Sequence, residues 1–397
     1  MTNKLGLFIH WGVYSSYGWH EQILAKQNIP FEEYDERAKN FNPQNLNVEE
    51  WVLLAKNAGM KYLCFTAKHH DGFCLWNTKY TDYNVMNTPY GKDVLKDLSQ
   101  ACKKHGIALS IYYSNPDWHH EKSYNPLSTH QWRRRSEAET DLSEYREFIK
   151  NQITELLTNY GEIYTLFWDI PPHITDTGIN ELARKLQPNI LINNRGWDDG
   201  DFSTPEREVP QGGRFEKLTE ACQSVGEQSW AYREDEDYYS VRFLNACIDK
   251  IMAMGGSYLL NVGPMLDGSI PMQARKTVET IGNWYKRMNG ALEGHTASQH
   301  TLTLSGGECI INEKAGKTYL HFFSGVRSTS VNIYEGTSCV PKTARLLNDG
   351  RELRIRYGKL PYRFDDDGIC KKDYVSICDI PCDEFLLEPL VIEIEWK

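Results

Sequence analysis

Residues 144–169 read EYREFIKNQITELLTNYGEIYTLFWD, and this stretch decides the fold. Its apolar side chains recur at helical spacing as far as Tyr160, and Gly161 is a typical residue to end such a helix. Ile163 to Trp168 then form an apolar run of the length of a buried strand. A helix that leads into such a strand is part of a βαβ unit, in which the strands run parallel.

The same alternation extends in both directions, from residue 5 to about residue 290. The predicted strands are residues 5–11, 62–67, 107–113, 163–168, 190–193 and 258–262. The predicted helices are residues 47–59, 93–105, 144–160, 180–186, 241–254 and 272–288. At least six such units predict an α/β fold of the (β/α)8-like TIM barrel type. A glycine-rich phosphate loop does not follow the first strand, which disfavours a Rossmann sheet.

The pattern changes after about Thr296, where short alternating segments are separated by Gly, Asn and Asp turns. Strands are predicted at residues 301–304, 317–323, 330–334 and 390–396. About 100 residues of this kind predict an antiparallel β-sandwich. We therefore predict a catalytic barrel over residues 1–295 and a C-terminal β-sandwich domain over residues 296–397.

Charge and hydropathy exclude two classes of partner. The net charge of -10 argues against nucleic acid, which requires clustered Lys and Arg. The run Arg133-Arg134-Arg135 is followed closely by acidic residues, so we interpret it as a solvated helix face. No apolar run approaches the roughly 20 residues that span a bilayer, so we expect no membrane partner.

The first residues of the chain and the spacing of the cysteines indicate the cellular compartment to expect. The apolar run Leu5–Ile9 is too short for a signal peptide and lacks a small-residue cleavage site. The sequence as it stands predicts a cytoplasmic protein, and a periplasmic or secreted one if a leader has been removed. Ten cysteines occur without the spacing of a disulfide framework or a zinc site, so we interpret them as reduced thiols.

Polar and aromatic side chains gather where the predicted barrel strands end, which is where the chemistry of such barrels lies. Trp and Tyr are numerous, at 11 and 23 residues, and aromatic faces stack on sugar rings. Five consecutive predicted strands end in segments that contain His, Asp, Arg, Tyr or Trp, so these side chains should lie together at one rim of the barrel. The segments are His10-Trp11, Lys68-His69-His70-Asp71, Tyr112-Tyr113-Ser114 with Asp117-Trp118, Trp168-Asp169, and Asn193-Asn194-Arg195.

This set of residues favours glycoside hydrolysis. Acyl transfer is disfavoured because no nucleophile elbow appears in the sequence. Glycoside hydrolysis needs two carboxylates, about 5–5.5 Å apart when configuration is retained. Asp169 is a natural nucleophile, because it emerges from an apolar strand that holds it rigidly. Histidines and an arginine around the sugar would bind its hydroxyls and keep Asp169 ionised.

Two alternatives stay open from the residues alone. A metal-dependent TIM-barrel hydrolase would use His10, one of His69 and His70, and Asp169 as ligands. Neighbours on an extended segment point in different directions, which disfavours a site that uses His69 and His70 together. A non-catalytic carbohydrate-binding protein on the same scaffold would have lost the carboxylate of the fourth strand, which is present here.

Five motifs follow one another along the chain. They are Leu7–Gly12, Ala67–Phe73 with Trp76, Gly106–Ser114 with Asp117-Trp118, Gly200–Glu206, and Gly255–Pro264 with Asp267-Gly268. In this order they resemble the α-L-fucosidases of glycoside hydrolase family 29. The resemblance implies a barrel followed by a β-sandwich. It also implies a retaining, exo-acting α-L-fucosidase that removes terminal α-L-fucose from oligosaccharides or glycoconjugates through a covalent glycosyl-enzyme.

Residue by residue, the resemblance implies that Asp169 is the nucleophile. We prefer Tyr112 to Tyr113 as a sugar contact, because Tyr112 shares strand parity with Ser110 and Ser114. Family members often carry a Glu-Trp pair after the first strand, and Trp19 and Glu21 are the residues here that could fill its role, in a different order. The sugar contacts implied are His10, Trp19, Glu21, His69, His70, Tyr112 and Arg195.

The resemblance implies a Glu as general acid/base, and Glu206 in its Thr-Pro-Glu context is our first choice, with Glu208 and Glu220 as rivals. The family often has Gly directly after the nucleophile, where this chain has Ile170. The resemblance implies a fucosylated glycan as the partner and no metal or organic cofactor. It leaves the oligomeric state open, including a homo-oligomer.

Overall fold

The computed structural model describes residues 4–123, 130, 142–172, 176–297, 303–304, 307–334, 341–365 and 368–397. The basic run at residues 133–135 lies outside these residues. No helix among them is long and apolar enough to cross a membrane. The eight cysteines whose environment is described are free thiols, as expected.

The chain divides into two compact units. The first contains residues 4–208, 217–239 and 257–279, and the second contains residues 209–216, 240–256 and the remainder from residue 280. The predicted barrel domain, residues 1–295, includes helical residues that belong to the second unit. That predicted boundary stays a prediction.

A seven-stranded parallel sheet forms the first unit and identifies it as a (β/α)8-like barrel. Its order is β5-β4-β3-β2-β1-β7-β6. Six of these strands were predicted, and β6 was not. The strands are β1 Leu5–Ile9, β2 Tyr62–Lys68, β3 Ala108–Ser114, β4 Ile163–Asp169, β5 Leu191–Ile192, β6 Glu220–Ser224 and β7 Ser257–Val262.

Helices alternate with these strands along the chain, as predicted for βαβ units. Asp93 caps α4 by accepting from Lys96 N, and Gly106 ends it in the left-handed conformation. The short helices α1 and α2 were not predicted. The helices are α1 Ile23–Lys26, α2 Phe31–Lys39, α3 Glu49–Asn57, α4 Val94–His105, α5 Ser143–Asn159, α6 Thr177–Leu186, α7 Val241–Ala253 and α8 Met272–Leu292.

Side chains fill the barrel interior at the N-terminal ends of its strands. A Cβ atom at Gly6 would lie 2.4 Å from the ring of Tyr62, so only glycine lets that ring cross the barrel. The Tyr62 hydroxyl donates to the buried carboxylate of Glu220 on β6. Tyr62 packs in one buried cluster with Phe8, Cys64, Tyr112, Phe167, Cys222 and Leu259. With this end filled, space for a ligand is left at the C-terminal strand ends.

The second unit contains two antiparallel sheets with a shared apolar core, which is the predicted β-sandwich. One sheet has the order β13-β16-β11-β10-β8 and the other β14-β15-β12-β9. Residues 301–302 of one predicted strand lie outside the described residues. The strands are β8 Thr296–Ala297, β9 Thr303–Leu304, β10 Ile310–Lys314, β11 Lys317–Phe322, β12 Ser330–Tyr334, β13 Pro341–Leu346, β14 Arg354–Asp365, β15 Gly368–Cys378 and β16 Leu390–Trp396.

Candidate active site

A pocket of about 120 Å³ opens at the C-terminal ends of the barrel strands. Eight of the nine residues predicted from the sequence as catalytic or sugar-binding line it; the exception is Trp19. Its wall consists of Phe8, His10, Glu21, Gln22, His69, His70, Tyr112, His130, Phe167, Asp169, Ile170, Arg195, Glu206, Cys222 and Trp230.

Both carboxylate oxygens of Asp169, the last residue of β4, accept hydrogen bonds. Tyr112 donates to Oδ2 at 2.7 Å, while Arg195 Nη1 donates to Oδ1 at 3.2 Å. Burial alone would raise the pKa of this carboxyl, but His70, Arg195 and the bond from Tyr112 hold the pKa below its usual value. Asp169 is therefore an ionised, oriented carboxylate at neutral pH.

The two adjacent tyrosines of β3 point to opposite sides, as strand parity requires. Tyr112 lines the pocket and contacts Asp169. The Tyr113 hydroxyl donates instead to Oε1 of Gln152 on α5, at 2.6 Å. The structure thus places Tyr112 at the site and Tyr113 against a helix.

Asn261 at the end of β7 sets the tautomer of His10. Its amide nitrogen donates to Ser224 Oγ at 3.0 Å and to the Trp230 carbonyl at 2.6 Å. Its amide oxygen must then accept from His10 Nδ1, which lies 2.7 Å away. Burial lowers the pKa of His10 to about 4, so the ring is neutral at pH 7 and its Nε2 is an acceptor.

Ser114 sets the tautomer of His70 in the same way. The Ser114 hydroxyl donates to the Pro116 carbonyl at 2.6 Å, so its oxygen accepts from His70 Nδ1, also at 2.6 Å. Burial lowers the pKa of His70 to about 4, against the opposite effect of Asp169. The unprotonated Nε2 of His70 then lies 3.8 Å from Asp169 Oδ2.

The ring of His69 stacks on Tyr112, with ring centres 5.5 Å apart and planes 6° from parallel. Its Nδ1 is buried and has no hydrogen-bond partner among the described residues. Burial, with His70 and His10 nearby, lowers the pKa of His69 well below its usual value. Three neutral imidazoles therefore line one side of the pocket.

Arg195 joins the two carboxylates of the proposed mechanism. Two hydrogen bonds to Thr204 position its guanidinium: Nε donates to Oγ1 at 2.7 Å, and Nη2 donates to the carbonyl at 2.8 Å. Its Nη1 then contacts Asp169 at 3.2 Å and Glu206 at 2.6 Å. Because both oxygens contact the same nitrogen, Asp169 Oδ1 and Glu206 Oε2 are separated by at most the sum of these two distances. That separation favours the retaining geometry of about 5–5.5 Å over the inverting one of about 6.5–9.5 Å.

The two rival acids do not line the pocket. Glu208 is exposed on the loop beyond Glu206. Glu220 is fully buried beside Tyr62 in the barrel interior, and this burial raises its pKa to about 7. The geometry favours Glu206, which is 39% exposed at the mouth of the site.

Glu21 lines the pocket, but its carboxylate is bonded within the protein. Its Oε2 accepts from Ser229 Oγ and Trp230 N at 3.0 Å and from Ala231 N at 3.3 Å. Glu21 therefore fixes the loop that carries the pocket residue Trp230. Trp19 does not lie on the pocket wall. Its ring lies beside Arg233, and the ring centre is 5.6 Å from the Arg233 guanidinium carbon.

Sequence reasoning missed several wall residues. Phe8 and Phe167 share strand parity with His10 and Asp169, so that signal was available. Trp230, whose ring centre is 5.3 Å from that of His10, lies on an irregular loop and has no such signal. The other wall residues not predicted are Gln22, His130, Ile170 and Cys222.

Gly263, in the Leu-Leu-Asn-Val-Gly-Pro motif of residues 259–264, packs against the backbone of the loop that carries Trp230. A Cβ atom at Gly263 would lie 2.2 Å from the carbonyl carbon of Ala231. Only glycine permits this approach of the two backbones. Together with Asn261, this motif thus supports both His10 and Trp230.

The residue after Asp169 has a strained backbone. Ile170 has φ of 58°, in the left-handed region that β-branched residues rarely adopt. Its N–H donates to Asp169 Oδ1 at 3.0 Å, and its carbonyl accepts from Asn115 Nδ2 at 2.9 Å. These contacts hold a conformation that glycine would adopt freely, at the position where the family often has Gly.

Comparison with known proteins identifies the family. The sequence model described as alpha-L-fucosidase matches residues 1–291. Human plasma alpha-L-fucosidase is 26% identical over 325 residues, which cover 74% of this chain and 68% of that protein. Alpha-L-fucosidase isoenzyme 1 from Paenibacillus thiaminolyticus has a TM-score of 0.83 and 29% identity, covering 100% of this chain and 97% of that one. The Thermotoga maritima alpha-fucosidase in complex with fucose has a TM-score of 0.76 and 26% identity, covering 99% and 95%. This chain belongs to the α-L-fucosidases of glycoside hydrolase family 29.

Proposed function

We propose that this enzyme removes terminal α-L-fucose from fucosylated oligosaccharides or glycoconjugates with retention of configuration. The observation that carries the proposal is the contact of one Arg195 nitrogen with both Asp169 and Glu206. The fucose in the related Thermotoga structure supports the choice of sugar. The small pocket supports an exo-acting enzyme that takes one terminal residue.

In the first step, Asp169 attacks the anomeric carbon and forms a covalent glycosyl-enzyme. Glu206, in its protonated form, gives its proton to the leaving glycosidic oxygen as the carbon–oxygen bond breaks. Tyr112 and Arg195 hold the attacking carboxylate in place. The aglycone leaves with the proton from Glu206.

In the second step, Glu206 acts as a base and takes a proton from water. The water oxygen attacks the anomeric carbon, and the bond to Asp169 breaks. Asp169 leaves as a carboxylate and Glu206 is again protonated, so both residues return to their starting states. Two inversions at the same carbon give overall retention.

The neutral histidines suit this chemistry. His10 and His70 each offer an Nε2 acceptor to sugar hydroxyls, because their Nδ1 protons are engaged by Asn261 and Ser114. The transition state resembles an oxocarbenium ion and carries positive charge. Neutral imidazoles bind the hydroxyls without opposing that charge.

The substitution Asp169→Asn tests the proposal, because it keeps the shape of the side chain and removes the nucleophile. We expect hydrolysis of an aryl α-L-fucoside to fall by at least about 1000-fold, with thermal unfolding unchanged. Asp199→Asn, at an exposed neighbouring loop position, is the matched control and should keep wild-type turnover.

Near-wild-type turnover by Asp169→Asn would overturn the proposal. Turnover that a chelator abolishes would support the metal-dependent hydrolase instead. We expect a chelator to leave the hydrolysis of the aryl fucoside unchanged.

A further inference from the structure

Three electron-pair donors meet at one point of the pocket. One ring nitrogen each of His69 and His70 and one carboxylate oxygen of Asp169 lie within 4.8 Å of one another. The two histidines are buried, and Asp169 is only slightly exposed. This arrangement differs from the expectation that neighbouring histidines diverge, because residues 69–72 leave the strand and enter a turn.

The hydrogen bond of Ser114 makes this group unusual. With the His70 proton on Nδ1, the unprotonated Nε2 lies 3.8 Å from Asp169 Oδ2. Both atoms are acceptors, and neither supplies a proton to the other. His69 adds a buried Nδ1 that has no partner among the described residues. Such a group is stabilised by a cation placed between its members.

We propose that His69, His70 and Asp169 bind one divalent transition-metal ion of the class that prefers imidazole, such as Zn²⁺ or Cu²⁺. Zinc bonds to nitrogen and oxygen are about 2.0–2.2 Å long, so two ligands of a tetrahedral ion lie roughly 3.3 Å apart. His70 and Asp169 need only a small side-chain shift to reach that separation. Mg²⁺ and Ca²⁺ require mainly oxygen ligands and do not suit this group.

The ion is an inhibitor and not a cofactor. It occupies the oxygen of Asp169 that faces His70, and it neutralises the charge of the nucleophile. The guanidinium of Arg195 on the other oxygen opposes a second cation, so binding is reversible and weaker than at a closed four-ligand site. Metal binding does not depend on the proposed function, whereas competition with fucose rests on it.

Calorimetric titration of the whole chain with Zn²⁺ tests the site. We expect one Zn²⁺ ion to bind per chain, and we expect the Kd to rise at least tenfold in His70→Ala and in Asp169→Asn. His105→Ala is the matched control, because His105 on α4 and Glu49 on α3 form a partly buried pair away from the pocket that could hold zinc adventitiously. Mg²⁺ should give no binding heat. Circular dichroism and thermal unfolding establish that each variant is folded.

Absence of Zn²⁺ binding would overturn the inference, as would a Kd unchanged by both pocket substitutions or weakened only by His105→Ala. L-Fucose should raise the apparent Kd for Zn²⁺ in proportion to its concentration. Zinc binding that is lost in the pocket variants but unaffected by fucose would uphold the metal site. That result would count against the fucose pocket and so separate the two proposals.

Discussion

Nη1 of Arg195 is the atom on which the two carboxylates of the site converge. When Glu206 is ionised in the free enzyme, two negative charges about 5 Å apart repel by about 3 kcal/mol at an effective dielectric constant near 20. Burial alone would lower the pKa of Arg195, but Cys222, Asp169 and Glu206 raise it, so the guanidinium stays charged. Its charge offsets this repulsion and lets the proposed nucleophile and the proposed acid remain close.

At the same scale, Glu206→Ala separates the acid from its rivals. We expect the variant to form the glycosyl-enzyme readily from aryl fucosides with good leaving groups, which need little proton donation, and to be limited on them by the second step. Activity on substrates with poor leaving groups should fall by about 100-fold or more. Azide should partly restore turnover, because a small anion can enter the space left by the carboxylate and attack the glycosyl-enzyme.

Glu208→Ala is the matched control, since Glu208 is an exposed carboxylate two positions away that does not line the pocket. Its activity should equal that of the wild type on both kinds of substrate. Azide rescue of Glu208→Ala or Glu220→Ala, and not of Glu206→Ala, would move the acid to that position.

The turn that follows β4 holds Asp169, the proposed nucleophile, at the cost of backbone strain. Ile170 has a positive φ, and its N–H and carbonyl are both bonded within the site. The left-handed conformation costs a non-glycine residue roughly 1–2 kcal/mol. Glycine would adopt this backbone conformation without that cost.

We predict that Ile170→Gly has a free energy of unfolding about 1 kcal/mol higher than Ile170→Ala. Both variants lose the same apolar contacts of isoleucine, and only Gly also relieves the positive φ. Chemical denaturation of the two variants measures the difference. If the alanine variant is equally stable or more stable, the turn is not strained.

On the scale of the whole molecule, buried acids connect stability to pH. Burial raises the pKa of Glu220 to about 7 and that of Asp71 to about 6. In the unfolded chain these groups titrate near pH 4. Between the two values these acids hold protons in the folded protein that they have lost in the unfolded chain, so their contribution to stability falls as the pH rises and levels off above pH 7. His10 and His70, whose pKa burial lowers to about 4, contribute in the opposite direction up to about pH 6.5.

The substitution Glu220→Gln tests the contribution of Glu220, which is the acid with the higher pKa, to the free energy of unfolding. At pH 5 Glu220 is protonated, so the variant and the wild type should be about equally stable. At pH 8 the wild type carries a buried charge, and the variant should be more stable by about 3 kcal/mol. Urea denaturation at both pH values measures this, with the exposed Glu32→Gln as a control that shows no such change. A difference that does not grow with pH would contradict the prediction.

The sequence by itself determined the two folds and the place of Asp169, the proposed nucleophile, at the end of a barrel strand. Buried parallel strands are apolar along their whole length, and helices between them have a different period, so six barrel strands were recognisable without tertiary information. β6 was not, because Glu220 to Ser224 are a mixture of small and polar residues without an apolar run, and their burial comes only from the barrel around them. The residues that follow each strand had to meet at one rim.

Only the tertiary structure decided how the site residues are paired and protonated. Asn261 and Ser114 lie far from the histidines in sequence, and hydrogen bonds between distant segments set their tautomers. The loop of Trp230 has no periodic pattern, and Glu21 places it through contacts across more than 200 residues. Local sequence determines periodicity, whereas side-chain partners depend on which strand ends the closed sheet brings together.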